Sequence, residues 1–318
     1  MKLSLLSALS KNNYYEAVFW NIHKKRLLKP LGNIKADLII ANDVNTLPLA
    51  AKLKKENTKL IFDAHEYHPE ELEEVEEWRT NTKPSVIYHL KKNIPAADLM
   101  MTVSEPIAEK YEKEFRVKPV VITNAPFYSD LEAQPVGDKI KLIHHGASIK
   151  ERLLEETIGV MKYLNDNYTL DLMLVPTDMD YLNLLKEKYK NDPRIKFIDP
   201  VPTKEISKTI NRYDIGIYIL PPLNFNNINA LPNKFFEFIQ ARLAVAIGPM
   251  PAMANIVKEH QLGVVAENYT SEALADAIKG ISRDELFSFK KNSDKASKVL
   301  SAEKNMEKIL SEVKKLLN

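Results

Sequence analysis

The chain has 318 residues, 45% hydrophobic and 28% charged, and no apolar run near the roughly 20 residues that span a bilayer, which indicates a folded, soluble protein. Its 45 Lys and Arg against 43 Asp and Glu give a formal charge of +2, so no nucleic-acid partner is expected. The absence of cysteine excludes disulfides, thiolate zinc sites and thiol nucleophiles, and a cytoplasmic location is the default expectation.

The first part of the chain is predicted to be an α/β domain. The opening MKLSLLSALSKNNYY is predicted to be helical, because it lacks the apolar core and cleavage site of a signal peptide. Strands are predicted at Ala36–Ala41, Lys59–Asp63, Asp98–Val103 and Pro119–Ile122. Because helical patterns fill the gaps between these apolar runs, a parallel sheet covered on both faces is expected. The polar segment APFYSDLEAQPVGDK indicates a linker, so this domain is assigned residues 1–134.

The same alternation then restarts and predicts a second doubly wound α/β domain over residues 135–282. Its strands are predicted at Ile140–His144, Leu170–Val175, Arg194–Ile198, Asp214–Leu220, Leu243–Ile247 and Gly263–Val265. Its helices are predicted at Arg152–Leu164, Tyr181–Tyr189, Lys204–Asn211, Asn233–Ala241 and Ser271–Gly280. Residues 283–318 are predicted to be helices that dock on the protein, the N-terminal domain being a candidate partner. Their apolar stripe is Met306, Ile309, Leu310 and Val313.

Two such domains bind ligands in the cleft at the carboxyl ends of their strands. The candidate binding residues at strand ends of the first domain are Asn42, Asp43, Ser104 and Asn124. His65 and Glu66 form a candidate acid–base unit. An equal alternative is that the two side chains only satisfy each other's hydrogen bonds and fix a loop. Their spacing with His68 does not fit the helical zinc signature, so no metal site is predicted.

In the second domain, the segment Ala230–Pro249 sets a short polar turn before a helix. Backbone N–H groups and the positive dipole end at a helix start bind phosphate oxygens. Asn233 is predicted to cap this helix, Lys234 adds a cation, and Glu237 follows one turn later on the same face. An ordinary capped helix that packs a core is the alternative.

A second basic turn follows the strand IKLIHH, which is predicted to end at Gly146. Glycine permits close backbone approach, and the next residues supply the cations Lys150 and Arg152. This is half of a diphosphate cradle, although the further glycines of a Walker loop or a dinucleotide fingerprint are absent.

Eight segments together carry a family resemblance: DLIIANDVNTLPLA, KLIFDAHEYHPE, ADLMMTVSEPIAEKY, VVITNAPF, KLIHHGASIKER, IKFIDPVPTKEI, YDIGIYILPP and ALPNKFFEFIQARLAVAIGP. In this order, from about Asp37 to Ser282, the chain resembles glycosyltransferase family 4, retaining transferases of the GT-B architecture. The resemblance implies two Rossmann-like domains facing across a cleft. A nucleotide diphosphate sugar would bind the second domain and a glycan or lipid-linked glycan acceptor the first, with no metal or other cofactor for the chemical step.

The resemblance also implies roles for single residues. Glu237 matches the carboxylate that binds the donor ribose, Arg152 the basic diphosphate ligand, and His65, with its neighbour Glu66, the residue beside the transferred sugar. The other implied donor contacts are Gly146, Asn233 and Lys234.

Three departures from the family pattern affect these roles. Asn229 stands where the family often has the first of two paired glutamates, and Ala147 stands where a second phosphate-binding arginine is common. Asn229, Asn227 and Lys150 are the candidate substitutes. Only about 35 residues precede DLIIAND, so a shortened N-terminal domain with an exposed sheet edge is expected. Residues Met1–Leu28 or a second subunit would cover that edge.

The predicted function is retaining hexosyl transfer from a nucleotide diphosphate sugar to a glycan or lipid-linked glycan, in cell-envelope polysaccharide synthesis. The alternative is a shortened GT-B protein that binds a nucleotide or glycan, or partners another transferase, without catalysis. The basic segments His23–Pro30 and Leu90–Asn93 are candidates for peripheral contact with the inner face of the membrane, with solvated helix faces the favoured interpretation.

Overall fold

The computed structural model describes residues 10–318, which divide into two compact units. The first unit contains residues 10–122 together with Asn224–Asn226 and Ile309–Asn318, and the second contains Thr123–Leu223 and Asn227–Lys308. The domain boundaries expected at residues 134 and 282 stay predictions.

The first unit is built on a four-stranded parallel sheet in the order β1-β2-β3-β4. Its strands are β1 (Leu38–Asn42), β2 (Lys59–Ala64), β3 (Leu99–Thr102) and β4 (Val120–Val121). Its helices are α1 (Lys11–Phe19), α2 (Ile22–Gly32), α3 (Leu47–Leu53), α4 (Lys83–Asn93) and α5 (Glu105–Phe115). The helix expected in the opening segment is present from Lys11, and residues 1–9 lie outside the described part.

Strand β2 lies inside this sheet, between β1 and β3. Leu60, Ile61 and Phe62 are fully buried, as expected for a parallel strand covered on both faces. Within residues 10–318, β1 pairs only with β2, and Ile40 on β1 is 49% exposed. The expected exposed edge is therefore the outer edge of β1 in this part of the chain, and its cover by a second subunit stays a prediction.

The second unit contains a six-stranded parallel sheet in the order β10-β9-β8-β5-β6-β7. Its strands are β5 (Ile140–Ala147), β6 (Tyr168–Val175), β7 (Ile195–Ile198), β8 (Ile215–Tyr218), β9 (Ala244–Ile247) and β10 (Gly263–Val265). From β5 the chain continues to β6 and β7 on one side, and it then returns to build β8, β9 and β10 on the other side. The switch point of this doubly wound sheet therefore lies between β5 and β8. Ligands of such sheets bind at the carboxyl ends of those two strands.

The remaining helices lie between these strands along the chain or follow the last of them, and parts of α9 and α14 belong to the first unit. They are α6 (Leu154–Gly159), α7 (Met179–Tyr189), α8 (Ile206–Ile210), α9 (Phe225–Ile228), α10 (Asn233–Gln240), α11 (Pro251–His260), α12 (Ser271–Lys279), α13 (Arg283–Val299) and α14 (Ala302–Leu317). Helix α10 packs directly on β8, because a Cβ at Gly216 would lie 2.3 Å from Cγ of Phe238. This close approach fixes the start of α10 relative to the switch point.

Two predicted element bounds were wrong in the region of β5. The strand continues through Gly146 to Ala147, and the helix predicted from Arg152 begins at Leu154. A 3-10 turn, Lys150–Arg152, precedes it, because Leu153 adopts a left-handed conformation with φ of 44° that interrupts a helix.

The C-terminal stripe of α14 is covered only in part. Ile309 and Val313 are half-buried, whereas Met306 and Leu310 are 48% and 54% exposed. The sequence predicted the helix correctly, and the docking of its stripe on the protein stays a prediction. Among the residues that the structure describes, no helix combines the length and apolar character needed to cross a bilayer.

Candidate functional site

Three predicted site residues come together at the carboxyl end of β5. Gly146 has φ of 132°, and a Cβ built there would lie 2.9 Å from Nζ of Lys234 and 3.7 Å from Nη1 of Arg152. The missing side chain therefore leaves the space that the lysine ammonium occupies. A glycine backbone and two cations at the switch point are suited to a diphosphate.

Lys234 is a buried cation, with 6% of its surface exposed. Its Nζ lies 3.4 Å from Nε2 of His144 and 4.5 Å from the ring centroid of Tyr218. Burial, followed by the charge of Arg152, lowers the pKa of Lys234 to about 7. A bound anion would raise that pKa, because it stabilises the charged form. The site is therefore poised to gain positive charge when an anion enters.

Glu237 lies one turn further along α10 and is also 6% exposed. Its Oε2 is 3.5 Å from Nε2 of His145, which makes no hydrogen bond within the described residues. Burial raises the pKa of Glu237 to about 7, against the opposing charge of Lys234. Burial, with the charge of Lys234, lowers the pKa of His145 to about 3, so this imidazole is neutral. The charge of the Glu237 carboxyl group therefore changes with pH near neutrality.

The start of α10 differs from the prediction. Pro232 occupies the N-cap position, with no side-chain hydrogen bond, and Asn233 is the first helical residue. The prediction that Asn233 caps the helix was wrong, because the extended backbone of Pro232 (φ −72°, ψ 151°) moves the boundary one position back. The N–H of Phe235 donates to the carbonyl oxygen of Pro232 at 3.0 Å, but the cap residue itself offers no side-chain acceptor. The first amide groups of a helix that begins in this way are suited to binding an anion.

The remaining donor-side candidates differ in exposure. Asn233 and Lys150 are exposed, and Asn229 is 7% exposed in the chain before α10. Their contacts with a donor stay predictions.

In the first unit, His65 follows β2 and is held by two aspartates. Its backbone N–H donates to Oδ1 of Asp43 at 3.1 Å, and its Nδ1 lies 3.4 Å from the same carboxylate. Its Nε2 is 3.4 Å from Oδ2 of Asp63. Glu66 is exposed and is not among these partners, so the alternative of a satisfied His65–Glu66 pair was wrong, while a catalytic role for Glu66 stays a prediction. The parallel register explains this, since Asn42 is opposite Asp63 and brings Asp43 beside the end of β2.

Asp43 is itself held by a buried histidine. Nε2 of His68 lies 3.2 Å from Oδ1 of Asp43, and its Nδ1 lies 3.4 Å from Oε2 of Glu71. Burial opposes the charged imidazole, but the two carboxylates outweigh it and raise the pKa of His68 to about 9. Burial likewise opposes ionisation of Asp43, yet its hydrogen bonds from His68 and His65 lower its pKa to about 2. His65 therefore borders a fixed negative charge.

The other first-domain candidates have different surroundings. Asn42 is exposed, and its carbonyl oxygen accepts a hydrogen bond from Oγ1 of Thr46 at 2.6 Å. Ser104 is fully buried at the start of α5. Asn124 is exposed and belongs to the second unit. In residues 10–318, no group of three or more His, Asp or Glu side chains is arranged to hold a metal ion.

The sequence-based prediction missed His144, His145 and Tyr218. The two histidines lie inside an apolar strand, and the pattern there predicts only a buried β5. Two consecutive imidazoles directly before a glycine were the available signal, because buried polar side chains need specific partners.

The family is decided by a sequence match. The family model described as "Glycosyl transferases group 1" matches residues 129–300, which is more than half of the chain. The chain belongs to this family of glycosyltransferases. The match confirms the resemblance to glycosyltransferase family 4, and the protein is therefore a glycosyltransferase. No curated protein matches the sequence.

Solved structures confirm the GT-B fold. Sucrose-phosphate synthase from Thermosynechococcus elongatus is 14% identical, with a TM-score of 0.71, covering 92% of this chain and 77% of that one. Alr3699/HepE from Anabaena, in complex with UDP-glucose, is 13% identical with a TM-score of 0.71, covering 92% and 82%. The pneumococcal O-GlcNAc transferase GtfA, in complex with UDP and GlcNAc, is 15% identical with a TM-score of 0.68, covering 92% and 60%.

Proposed function

We propose that this glycosyltransferase uses a UDP-sugar and transfers its hexosyl unit, with retention, to a hydroxyl of a glycan or lipid-linked glycan. The observation that carries the proposal is the buried ammonium of Lys234 beside Arg152 and Gly146 at the switch point. The choice of UDP is supported by the UDP complexes of HepE and GtfA, which share the fold. Cell-envelope polysaccharide synthesis is the proposed setting.

The donor would be held by charge and by backbone. Arg152 and Lys234 would neutralise the diphosphate as it leaves, which lowers the barrier because these cations are fixed before the reaction. The amide groups at the start of α10 would bind the same phosphates. Glu237 would accept a hydrogen bond from a ribose hydroxyl. Because these two cations supply the charge that stabilises the leaving group, we propose that the chemical step needs no metal.

On the acceptor side, His65 would contact the sugar being transferred. Its imidazole is oriented by Asp43 and Asp63, so one ring nitrogen is held in place by each carboxylate. The acceptor hydroxyl would form the new glycosidic bond and pass its proton to the departing phosphate oxygen. Asn42, Asp43, Ser104 and Asn124 are the proposed acceptor-side residues.

A donor-release assay tests this function. UDP-glucose, UDP-GlcNAc and other UDP-sugars are incubated with the protein, and released UDP is measured with and without glycan acceptors. We expect release from at least one donor, reduced at least tenfold in His65→Ala and in Arg152→Ala. Binding of UDP without release from any donor would favour the non-catalytic binding protein instead. Absence of both binding and release would contradict the proposal.

A peripheral membrane contact is proposed for the helices α1 and α2. Residues 10–35 contain six Lys or Arg and one acid. Lys25, Arg26 and Lys29 on α2 form no ion pair within the described residues, and Ile22 beside them is 60% exposed. In the other predicted patch, Lys92 is paired with Glu16 at 2.8 Å, which weakens that candidate. Flotation with anionic but not with neutral vesicles is the expected result.

A further inference from the structure

His144 is a fully buried histidine whose protonation is fixed by its neighbours. Its Nδ1 lies 3.0 Å from the carbonyl oxygen of Ile217 on β8, and its Nε2 lies 3.4 Å from Nζ of Lys234. A carbonyl oxygen can only accept, so Nδ1 must carry the proton. Burial, with the charges of Lys234 and other nearby cations, lowers the pKa of His144 well below its usual value. The ring is therefore neutral, and Nε2 presents a lone pair to the ammonium.

The ammonium of Lys234 is confined on its other sides as well. The Tyr218 ring lies 4.5 Å below Nζ and stacks on His144, with ring centroids 5.9 Å apart and planes 20° apart. Gly146 leaves the remaining space, since any Cβ there would come within 2.9 Å of Nζ. In the part of the chain that the structure describes, His144 is the one hydrogen-bond acceptor of this ammonium.

These contacts give His144 a role that rests on the donor site proposed above. We propose that His144 is a positioning residue for donor binding, whose neutral Nδ1–H form keeps the Lys234 ammonium charged and directed at the diphosphate. The other ionisable groups around Lys234 are Arg152, Tyr218 and the neutral His145 on neighbouring elements and Glu237 on its own helix. Only Glu237 among them supplies negative charge, and it makes no hydrogen bond to Nζ.

The role has a consequence for the pH dependence of binding. An acceptor stabilises the charged form of an amine, so its loss lowers the pKa of Lys234. The pKa of Lys234 is already about 7. A diphosphate binds the ammonium and not the neutral amine, so affinity falls as the pH rises through the pKa of Lys234. Without the lone pair of His144, that fall begins at a lower pH.

The test is the affinity for UDP-glucose measured by calorimetry between pH 6 and pH 9. UDP-glucose is a suitable probe, because its diphosphate is esterified at both ends and has no ionisation near neutrality. In His144→Phe, we expect the alkaline loss of affinity to begin about one pH unit lower, and binding at pH 8 to weaken about tenfold. His144→Gln, whose amide oxygen can accept from Lys234, should restore most of the wild-type profile.

A double-mutant cycle separates this role from simple packing. In a Lys234→Met background, His144→Phe should change affinity less than twofold, because the interaction is already lost. A wild-type profile in His144→Phe would overturn the inference while leaving the donor site intact. If wild type does not bind UDP-glucose at any pH, the proposed function and this inference both fail.

A measurement on the unaltered protein keeps the inference testable if His144→Phe does not fold. Nitrogen-15 NMR of the histidine rings should show His144 protonated at Nδ1 and bare at Nε2 throughout this pH range. The opposite tautomer, or a protonated ring near neutrality, would overturn the proposal.

Discussion

Replacing Gly146 by alanine perturbs the backbone and the ammonium position at once. The φ of 132° lies where residues with a side chain are rarely found, which costs about 1–3 kcal/mol. The new carbon would also lie 2.9 Å from Nζ and 3.3 Å from Cε of Lys234. Because the end of a lysine is flexible, the ammonium would move away instead of the backbone. We therefore expect the free energy of unfolding to fall by about 1–3 kcal/mol and UDP to bind at least tenfold more weakly, about 1.4 kcal/mol.

Urea denaturation gives the free energy of unfolding, and titration calorimetry gives the UDP affinity. Gly137→Ala is the matched control, because the nearest atom to its added carbon is the carbonyl oxygen of Lys139 at 4.0 Å. The control should stay within about 0.5 kcal/mol of wild type. A Gly146→Ala protein that is as stable and binds UDP as tightly as its control would refute the crowded geometry around Lys234.

Three further changes test other parts of the account. Because the pKa of Glu237 is raised to about 7, the wild-type protein should lose affinity for UDP-glucose as the pH falls below that value. Glu237→Gln cannot be protonated and should not show this loss. Calorimetry that still finds the loss in Glu237→Gln would be contrary evidence. Asp43→Asn should lower the free energy of unfolding by about 1–2 kcal/mol at pH 6, where His68 is charged and paired with Asp43. The effect should be smaller above pH 9, because the stability that comes from the raised pKa of His68 is lost as the pH rises through about 9. An equal effect at both pH values would argue against this ion pair. Gly216→Ala should destabilise the protein by about 1–3 kcal/mol in urea unfolding, because its carbon would overlap the Phe238 ring, and an unchanged midpoint would contradict that packing.

The strands of both sheets could be predicted because each is a short apolar run between turn residues. The predicted Gly263–Val265 coincides with β10, and the predicted Lys59–Asp63 differs from β2 by one residue. The pattern could not reveal where a residue other than glycine adopts the left-handed backbone conformation, as Leu153 does with φ of 44°. This conformation shortened the helix predicted from Arg152, and no local sequence feature marks it.

The site was predictable where it depends on local periodicity and not where it depends on strand register. Lys234 and Glu237 were found because helical spacing puts them near one another at a helix start. The partner of His65 was misjudged, because Glu66 is its neighbour in sequence whereas Asp43 is its neighbour across the sheet. The role of His144 requires the pairing of β5 with β8, which brings the carbonyl of Ile217 to its ring.

The central claim is that the buried cation at the switch point holds the donor diphosphate. A crystal structure of the UDP complex tests it most directly. We expect phosphate oxygens within hydrogen-bond distance of Nζ of Lys234 and of the Arg152 guanidinium, with the ribose hydroxyls at Glu237. A diphosphate bound elsewhere in the chain, with Lys234 still enclosed by His144 and Tyr218 and not in contact with it, would contradict the account.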